Sequence, residues 1–214
     1  MEYELPGVVQ VPVNEKKGLT FARGLRSILR HDPDRVMVGE IRDSETAQIA
    51  IQAALTGHLV FSTLHANNAI DVLGRFAHMG LDAYDLVSAL NGVVAQRLLR
   101  LNCTHCAEPV VLTAQQRAHY GLPETSQGAA PERFARGRGC PACRGTGYQG
   151  RHAVAELFLL DDELRDLIAS RAPTGQIKAA ARGRGMRSLR ETALVLVREG
   201  RTTLEELDRV TLTL

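Results

Sequence analysis

The chain has 214 residues, of which 44% are hydrophobic, and a formal net charge of +2. This apolar content is enough for one large domain or two small ones, and the near-neutral charge argues against a bulk field that recruits nucleic acid or anionic lipid. No stretch approaches the roughly 20 apolar residues that span a bilayer, and Met1–Glu4 has neither the basic flank nor the apolar core of a signal peptide. We therefore expect a soluble, cytosolic protein.

Strand and helix patterns alternate before residue 102, which is typical of a mostly parallel sheet covered by helices. In chain order they predict a strand end or edge strand at 8–13, a helix at 20–29, a strand at 36–38, a helix from Asp43 or Ser44 to Gly57, a strand at 59–61, and helices at 69–79 and 84–101. Both internal strands are short apolar runs, the pattern of strands buried on both faces.

The pattern changes at Cys103. Residues 103–150 show little periodicity and much Gly and Pro, with a pair of cysteines at either end. Beyond them we predict a strand at 153–159 and three or four helices, which begin at Asp161 or Asp162, at Pro173 or Thr174, at Ser188 and at Thr203. Thr203 and Glu206 have the spacing of a capping box.

Polar side chains follow both internal strands. Glu40 comes after the first strand, where a carboxylate can orient a water or reach a nucleotide-bound Mg²⁺. The second strand is followed by Ser62, Thr63, His65 and Asn67, and His65 can donate a hydrogen bond to a terminal phosphate oxygen. Taken alone, an acid in this position is more often a surface residue, and such a histidine more often makes a structural hydrogen bond. The polar segments that follow the two strands, their polar tails, both lie at the sheet edge where parallel sheets bind ligands. This common position favours a ligand-binding site.

Three arginines lie in the segment 23–34, between the strand end at 8–13 and the strand at 36–38. Arg26 and Arg30 are four residues apart and share one face of the predicted helix, with Arg23 one turn earlier. Aligned guanidinium groups suit a phosphate or the acidic residues of a neighbouring subunit. A solvated basic face explains the same spacing, and the sequence leaves the two alternatives open.

Two Cys-x-x-Cys pairs, Cys103 with Cys106 and Cys140 with Cys143, can each supply two thiolates to a tetrahedral Zn²⁺. In a reducing cytosol such pairs indicate metal rather than disulfides. Four thiolates leave no open coordination position, so the predicted zinc is structural. Reduced, metal-free cysteines are the alternative. His105 is interpreted as a solvent-facing neighbour rather than a ligand.

The residues that carry chemistry resemble a known family. The run from Gly18 to Leu101 resembles the nucleotide-binding core of the type II secretion and type IV pilus assembly ATPases, and the resemblance continues through the cysteine pairs. It is carried by several strings in the same order: 29–34, Gly39-Glu40-Ile41-Arg42-Asp43, 53–58, Ser62-Thr63-Leu64-His65, 95–98, and 147–151 with Glu156.

The resemblance implies a fold, an activity and site residues. The fold is α/β, with a partial RecA-like parallel sheet at 1–101, a tetracysteine zinc insertion at 102–150 and a small helical C-terminal subdomain at 151–214. Glu40 matches the Walker B glutamate that positions the hydrolytic water, and His65 matches the histidine near the γ-phosphate. Arg26, Arg30 and Arg42 match arginines that sense nucleotide at or beside the subunit interface.

The resemblance also implies cofactors and partners. Members of the family bind ATP with Mg²⁺ and form homo-hexamers that power pseudopilus or pilus assembly. Their partners are a cytoplasmic membrane-associated secretion protein and an inner-membrane platform protein, which place the ring at the cytoplasmic side of the inner membrane. The cysteine pairs argue against the retraction ATPases. Type II secretion and type IV pilus assembly are not separated.

The sequence departs from the family in one essential respect. It contains no Gly-x-x-x-x-Gly-Lys-Ser/Thr loop, and none of its lysines, Lys16, Lys17 and Lys178, follows a glycine. The acidic box expected just before Glu2 is missing too. We therefore expect the C-terminal portion of such an ATPase, without ATPase activity of its own. The alternative is a non-catalytic ring component or an inert fragment.

Two readings from other classes compete with this one. Cys140-x-x-Cys143-x-Gly145-x-Gly147 fits a repeat of a chaperone zinc module, but the first cysteine pair lacks the glycines. A nucleic-acid-binding zinc ribbon would draw on the arginines between Arg133 and Arg151. The scarcity of aromatic residues there and the near-neutral charge argue against it.

Overall fold

Helices and short strands alternate along the computed structural model, which describes residues 4–123 and 132–211. The strands are β1 (Arg35–Val38), β2 (Leu59–Ser62), β3 (Gly92–Asn102), β4 (Ala107–Pro109), β5 (Ala135–Gly137) and β6 (Tyr148–Leu159). The helices are α1 (Phe21–Ile28), α2 (Ser44–Leu55), α3 (Asp71–His78), α4 (Ala83–Ala89), α5 (Ala114–His119), α6 (Asp162–Ala169), α7 (Thr174–Gly183), α8 (Leu189–Arg198) and α9 (Leu204–Thr211). Short 3₁₀ turns cover Glu15–Lys17, Leu29–His31 and Pro141–Cys143.

The chain divides into two compact units, each made of two segments. The first unit contains Met1–Val93 and Phe158–Arg184, and the second contains Val94–Leu157 and Gly185–Leu214. The predicted fold class is confirmed, with a parallel strand pair, a tetracysteine cluster near the middle and a helical C-terminal part. The predicted domain limits at 101 and 150 stay a prediction.

A parallel pair of strands organises the first unit. β1 and β2 align with Val36 opposite Val60 and Met37 opposite Phe61. Val36 and Val38 are buried against α1 and α2 in one apolar cluster with Leu25. Thr20 caps α1 and Asp43 caps α2 through side-chain oxygens, as the sequence predicts.

The predicted burial of these strands on both faces is wrong. β1 alternates, with Val36 and Val38 buried but Met37 exposed, and Leu59 and Phe61 of β2 are exposed. Only one face of the pair meets helices of the described chain, so an unbroken apolar run does not by itself imply two covered faces.

The predicted helix at 84–101 is also wrong. Helix α4 ends at Ala89, Leu90 is already extended, and β3 begins at Gly92. Asn91-Gly92 is a weak point for a helix, and pairing of β3 with β6 satisfies the backbone groups that follow. The strand end predicted at 8–13 is wrong as well, because residues 4–13 form no strand.

The second unit is built on α8, α9 and most of β3 and β6. Its core includes Leu99, Val154, Ala193 and Leu207. β4 and β5 form a small antiparallel pair, with Glu108 opposite Arg136. The sequence analysis did not predict α5. This helix begins with a capping box in which Thr113 and Gln116 make both of the expected hydrogen bonds. The predicted box at α9 is half right, because Thr203 accepts the Glu206 N–H but the Glu206 carboxylate binds elsewhere.

Among the acids of the second unit that the structure describes, Glu206 is the most deeply buried. Its side chain has no exposed surface and accepts hydrogen bonds from the Arg100 backbone and guanidinium and from Arg209, at 2.6–2.9 Å. Burial acts to raise the pKa of the carboxyl, but the bonds from Arg209 and Arg100 outweigh it and lower the pKa to about 2. Glu206 therefore links α9 to β3 as a carboxylate.

Within residues 4–123 and 132–211, no helix combines the length and apolarity needed to cross a membrane.

Candidate functional site

The polar tails of β1 and β2 meet at one edge of the parallel pair. Beyond the strands, the Ile41 N–H donates to the Thr63 carbonyl at 3.0 Å, and the Thr63 hydroxyl donates to the Gly39 carbonyl at 2.6 Å. These two bonds extend the pairing past Val38 and Ser62 and flank Glu40 on both sides. The Glu40 loop is therefore fixed to the tail that carries His65.

Glu40, Arg42 and His65 come together at this edge. One Glu40 carboxylate oxygen lies 2.6 Å from Arg42 Nη2, and the other lies 3.8 Å from His65 Nε2. The Glu40 side chain is 22% exposed, whereas that of His65 is 86% exposed. The hydrogen bond that Arg42 donates to the Glu40 carboxylate raises the pKa of the Arg42 guanidinium. The cluster presents a carboxylate, an imidazole and a guanidinium to solvent.

The other two predicted arginines lie elsewhere. Arg26 forms its ion pair with Glu45, at 2.7 Å, rather than with Glu40. Arg30 is exposed in the 3₁₀ turn Leu29–His31, because α1 ends at Ile28 and Asp32 takes a left-handed conformation before Pro33. Arg26 thus belongs to α1 and Arg30 to the 3₁₀ turn that follows it, and their predicted common face stays a prediction.

Thr63 has a structural role that the sequence analysis did not predict. It stood in the polar tail of the second strand without a role, yet it makes both hydrogen bonds that join the two tails. A hydroxyl directly after a strand of a parallel pair was the available signal, because it can reach the carbonyl that ends the neighbouring strand.

The four cysteines form one cluster in the second unit. Their sulfur atoms all lie within 4.8 Å of one another. Three of the Sγ–Sγ distances are 3.9 Å (Cys103–Cys140), 3.9 Å (Cys106–Cys143) and 3.8 Å (Cys140–Cys143). Tetrahedral zinc with Zn–S bonds of about 2.3 Å requires sulfurs about 3.8 Å apart. The donor set and its spacing fit zinc, and His105 is exposed, outside the cluster.

Backbone N–H groups point at one of these sulfurs. Cys143 Sγ accepts from the Cys140 and Gly147 amides, each at 3.2 Å. Burial acts to raise the pKa of the Cys143 thiol, but these two amide bonds and the neighbouring thiols lower it to about 6. Burial raises the pKa of the Cys106 thiol to about 12. The cluster thus favours a thiolate at Cys143, the form that binds metal.

Glycines bring the two sides of this cluster together. Gly137 and Gly147 pack backbone against backbone, so a Cβ on either would overlap the other's carbonyl group. Gly147 also has φ +76, which favours glycine. The glycine-rich composition of 137–147 therefore has a packing reason beside the metal ligands.

Comparison with known proteins identifies the family. The profile of the Type II/IV secretion system protein family matches residues 1–209. The chain is 50% identical over 207 residues to the type IV pilus assembly ATPase PilB of Thermus thermophilus. The match covers 96% of this chain and 23% of PilB. It is 47% identical over 211 residues to the type II secretion system ATPase E of Vibrio cholerae, which covers 99% of this chain and 41% of that protein.

A solved structure shows the same fold. The pilus retraction motor PilT, with bound ADP, superposes with a TM-score of 0.60 at 27% identity, over 89% of this chain and 43% of PilT. The chain thus spans less than half the length of the relatives it matches. It belongs to the type II/IV secretion system protein family.

Proposed function

We propose that this chain forms the catalytic and zinc-binding part of an ATPase that powers type II secretion or type IV pilus assembly. The observation that carries the proposal is the placement of Glu40 and His65 at the carboxyl edge of the β1–β2 pair. That edge is where open parallel sheets bind ligands. Relatives of both systems that are named ATPases support the same activity.

Each residue of the edge has a proposed role. The Glu40 carboxylate orients the attacking water, and the hydrogen bonds of Thr63 with Gly39 and Ile41 hold the Glu40 loop in place. The exposed His65 donates to an oxygen of the terminal phosphate. Arg42 exchanges its bond with Glu40 for a phosphate oxygen, and Arg26 and Arg30 report the nucleotide state to a neighbouring subunit. A bound ATP would supply the phosphoryl group, and Mg²⁺ would neutralise charge on its phosphates.

The proposed activity needs a phosphate-binding loop, which this sequence lacks. Glu40 and His65 can position a water and contact a phosphate, but a P-loop cradles the phosphates through its backbone N–H groups and lysine. We therefore propose turnover only when a P-loop-bearing segment of the same family completes the site.

The proposed zinc is structural. It would be held by Cys103, Cys106, Cys140 and Cys143. It would cross-link the two Cys-x-x-Cys segments, which we call the knuckles, and would take no part in catalysis. Its place is in the second unit, whereas Glu40 and His65 belong to the first.

The proposed assembly is a homo-hexamer at the cytoplasmic side of the inner membrane. Its partners would be a cytoplasmic membrane-associated secretion protein and an inner-membrane platform protein. The test uses this chain joined to an upstream segment that carries a P-loop, which is the P-loop-containing form. Size-exclusion chromatography with light scattering measures its oligomeric state, and a monomer both with and without nucleotide would contradict the hexamer.

The test of the catalytic proposal joins this chain to the upstream part of the Thermus thermophilus PilB relative and measures ATP turnover. We expect turnover by the joined protein and none by this chain alone. Glu40→Gln in the joined protein should reduce turnover by at least about 100-fold while nucleotide still binds, because only water activation is lost. Unchanged turnover in that variant would overturn the role of Glu40.

A second candidate function is a non-catalytic ring component. It is the alternative that the sequence analysis left open, a chain that keeps the fold of the family without turnover. Mixing this chain with a full-length relative would then give mixed hexamers whose turnover falls with the fraction of this chain. If the joined protein described above has no turnover although it folds and binds zinc, this function replaces the catalytic one.

A further inference from the structure

The four cysteines of the cluster differ in their access to solvent. Cys103, Cys106 and Cys143 are 0%, 4% and 6% exposed, whereas Cys140 is half-buried. Cys140 directly precedes the 3₁₀ turn Pro141–Cys143, and the first two residues of that turn are exposed and have small side chains. A reagent dissolved in water therefore reaches Cys140 more easily than it reaches the other three cysteines.

The sulfur atoms also differ in the hydrogen bonds that they accept. Cys143 Sγ accepts from two backbone amides at 3.2 Å, and Cys106 Sγ accepts from the Gly139 amide. In the part of the chain that the structure describes, Cys140 Sγ meets one amide, that of Cys143, which also donates to the Cys140 carbonyl at 3.2 Å. A hydrogen bond donated to sulfur stabilises its anion and lowers its nucleophilicity. Exposure and hydrogen bonding thus both favour reaction at Cys140.

Two other sulfurs lie close to Cys140. Its Sγ is 3.8 Å from that of Cys143 and 3.9 Å from that of Cys103. Cys143 is 3 positions away in the sequence and Cys103 is 37 positions away. Because a shorter loop costs less conformational entropy to close, Cys143 is the expected partner of Cys140 in a disulfide.

We propose that Cys140 is a reversible oxidation site, at which hydrogen peroxide opens the four-cysteine cluster. This inference rests on the proposed structural zinc. The Cys140 sulfur attacks one peroxide oxygen and becomes a sulfenic acid, while the O–O bond breaks and the other oxygen leaves as water with the thiol proton. The Cys143 thiol then displaces the sulfenic oxygen as a second water, and a Cys140–Cys143 disulfide forms. The two thiols lose two electrons, which the peroxide takes up.

This disulfide would remove two of the four sulfur donors from the metal site. Cys103 and Cys106 would remain, and two thiolates do not complete the tetrahedral coordination of a structural zinc. The metal should therefore be released, and with it the link between the two knuckles. A dithiol reductant would regenerate both thiols, so the change is reversible when zinc is present.

The experiment treats the zinc-loaded chain with a limiting amount of hydrogen peroxide and follows zinc release with a chromogenic chelator. Early samples are blocked with N-ethylmaleimide and digested, and mass spectrometry identifies the oxidised cysteines. We expect oxidation to begin at Cys140, a disulfide between Cys140 and Cys143, and zinc release in proportion to that disulfide. Oxidation that begins at another cysteine would overturn the inference, and so would zinc release that a dithiol and added zinc do not reverse.

The variant Cys140→His sharpens the test, because an imidazole nitrogen can replace the thiolate as a zinc ligand. It should keep zinc and release it at least about tenfold more slowly in peroxide, since oxidation follows the exposed thiolate. Cys106→His is the matched control, because it replaces a buried sulfur and leaves Cys140 in place. Its release rate should stay within about twofold of the unchanged chain.

Equal slowing in the two histidine variants would overturn the special role of Cys140. If either variant fails to hold zinc, the order of oxidation in the unchanged chain decides the question alone.

The outcomes separate this inference from the proposed zinc. If the chain takes up no zinc, the zinc proposal fails, and the order of oxidation among the four thiols still tests Cys140. If the chain binds zinc but oxidation begins at a buried cysteine, the zinc stands and this inference fails. Neither result depends on ATP turnover, so the proposed catalytic role of Glu40 is tested separately.

Discussion

Thr63 joins the Glu40 loop to the tail of β2 through its hydroxyl and its carbonyl. In the P-loop-containing form we predict that Thr63→Val reduces kcat about 10–100-fold, because a small displacement of a positioned catalytic group has an effect of this size. KM should change little, since Thr63 does not itself contact the phosphate in the proposed arrangement. Steady-state kinetics of the joined protein measures both.

Thr63→Ser is the matched variant, because it keeps the hydroxyl that donates to the Gly39 carbonyl. It should restore most of kcat. Equal losses in the Val and Ser variants would show that keeping the hydroxyl does not preserve kcat, and would contradict the positioning role of its hydrogen bond.

Glu206 supports a prediction about stability. Glu206→Gln should lower the free energy of unfolding by about 1–3 kcal/mol, because buried hydrogen bonds to Arg100 and Arg209 lose their charged acceptor. The folded pKa of about 2 lies below the ordinary value of 4.5, so the carboxylate stabilises the fold above about pH 4.5. That contribution is lost as the pH falls towards 2. Urea unfolding between pH 7 and pH 3 measures both effects.

Glu205→Gln is the control for this experiment. Glu205 is the neighbouring residue, but its ion pair with Arg136 is exposed on both sides and 3.3 Å long. Exposed pairs of this kind contribute about 0–1 kcal/mol. If the two variants lose the same stability, burial of Glu206 contributes nothing specific.

Some of these residues could be identified from the sequence and others could not. Glu40 and His65 were found because each follows a short apolar run that reads as a parallel strand, which predicts a common edge. Glu206 was assigned only a capping role, because its partner Arg100 is 106 positions away and no local pattern reveals such a pair. Arg30 lies beyond α1 in a turn of 3₁₀ helix, which the spacing of residues in the sequence does not reveal.

Among the elements, β3 shows why the period of a pattern can mislead. Residues 84–101 carry apolar side chains at spacings that fit a helix, but the chain leaves the helix after Ala89. Long-range pairing with β6 decides the conformation of 92–102, and a local pattern contains no information about that partner. Helix starts at Asp161, Ser188 and Asp43 were predictable, because capping is a local interaction.

The cysteine cluster leads to a prediction about the glycine beside it. Gly147→Ala should weaken zinc binding at least about tenfold, because the new Cβ overlaps the Gly137 carbonyl and displaces the amide that donates to Cys143 Sγ. Second-sphere changes at metal sites have effects of about 10–100-fold. Competition with a chromogenic zinc chelator measures the affinity.

Gly150→Ala is the control, because Gly150 has nearly the same φ of +78 but nothing lies within 4 Å of its Cβ position. It carries the cost of the backbone conformation alone, so its zinc affinity should be close to that of the unchanged protein. If both variants lose zinc equally, the close approach of Gly137 and Gly147 is not what matters.

For the whole molecule, composition and the alternation of strands and helices predicted a mixed α/β chain with a four-cysteine cluster near its middle. The structure has both features. The division into two units, each made of two distant segments, was not predictable. It depends on α6 and α7 belonging with residues 1–93, and on α8 and α9 belonging with 94–157. Which segments share a core depends on the total apolar surface that each arrangement buries, a property that no single segment reveals.

This division predicts how metal removal acts. Asn102, next to Cys103, donates through its side chain to the Ala135 and Gly200 carbonyls, and its backbone N–H donates to Arg201. Loss of zinc should therefore raise amide hydrogen exchange in the knuckles and in the turn at 200–202, within the second unit. Amides of α1 and α2, in the first unit, should keep their protection, because their cluster contains no residue of the second.

Hydrogen exchange with and without a zinc chelator, read by mass spectrometry on peptides from both units, makes the comparison directly. A matched sample of Cys103→Ser with Cys140→Ser, treated with the same chelator, separates metal loss from chelator effects and should exchange like the stripped protein from the start. Equal loss of protection in both units would mean that the chain unfolds as one cooperative body, and that the zinc centre stabilises the Glu40 edge as well as its own surroundings.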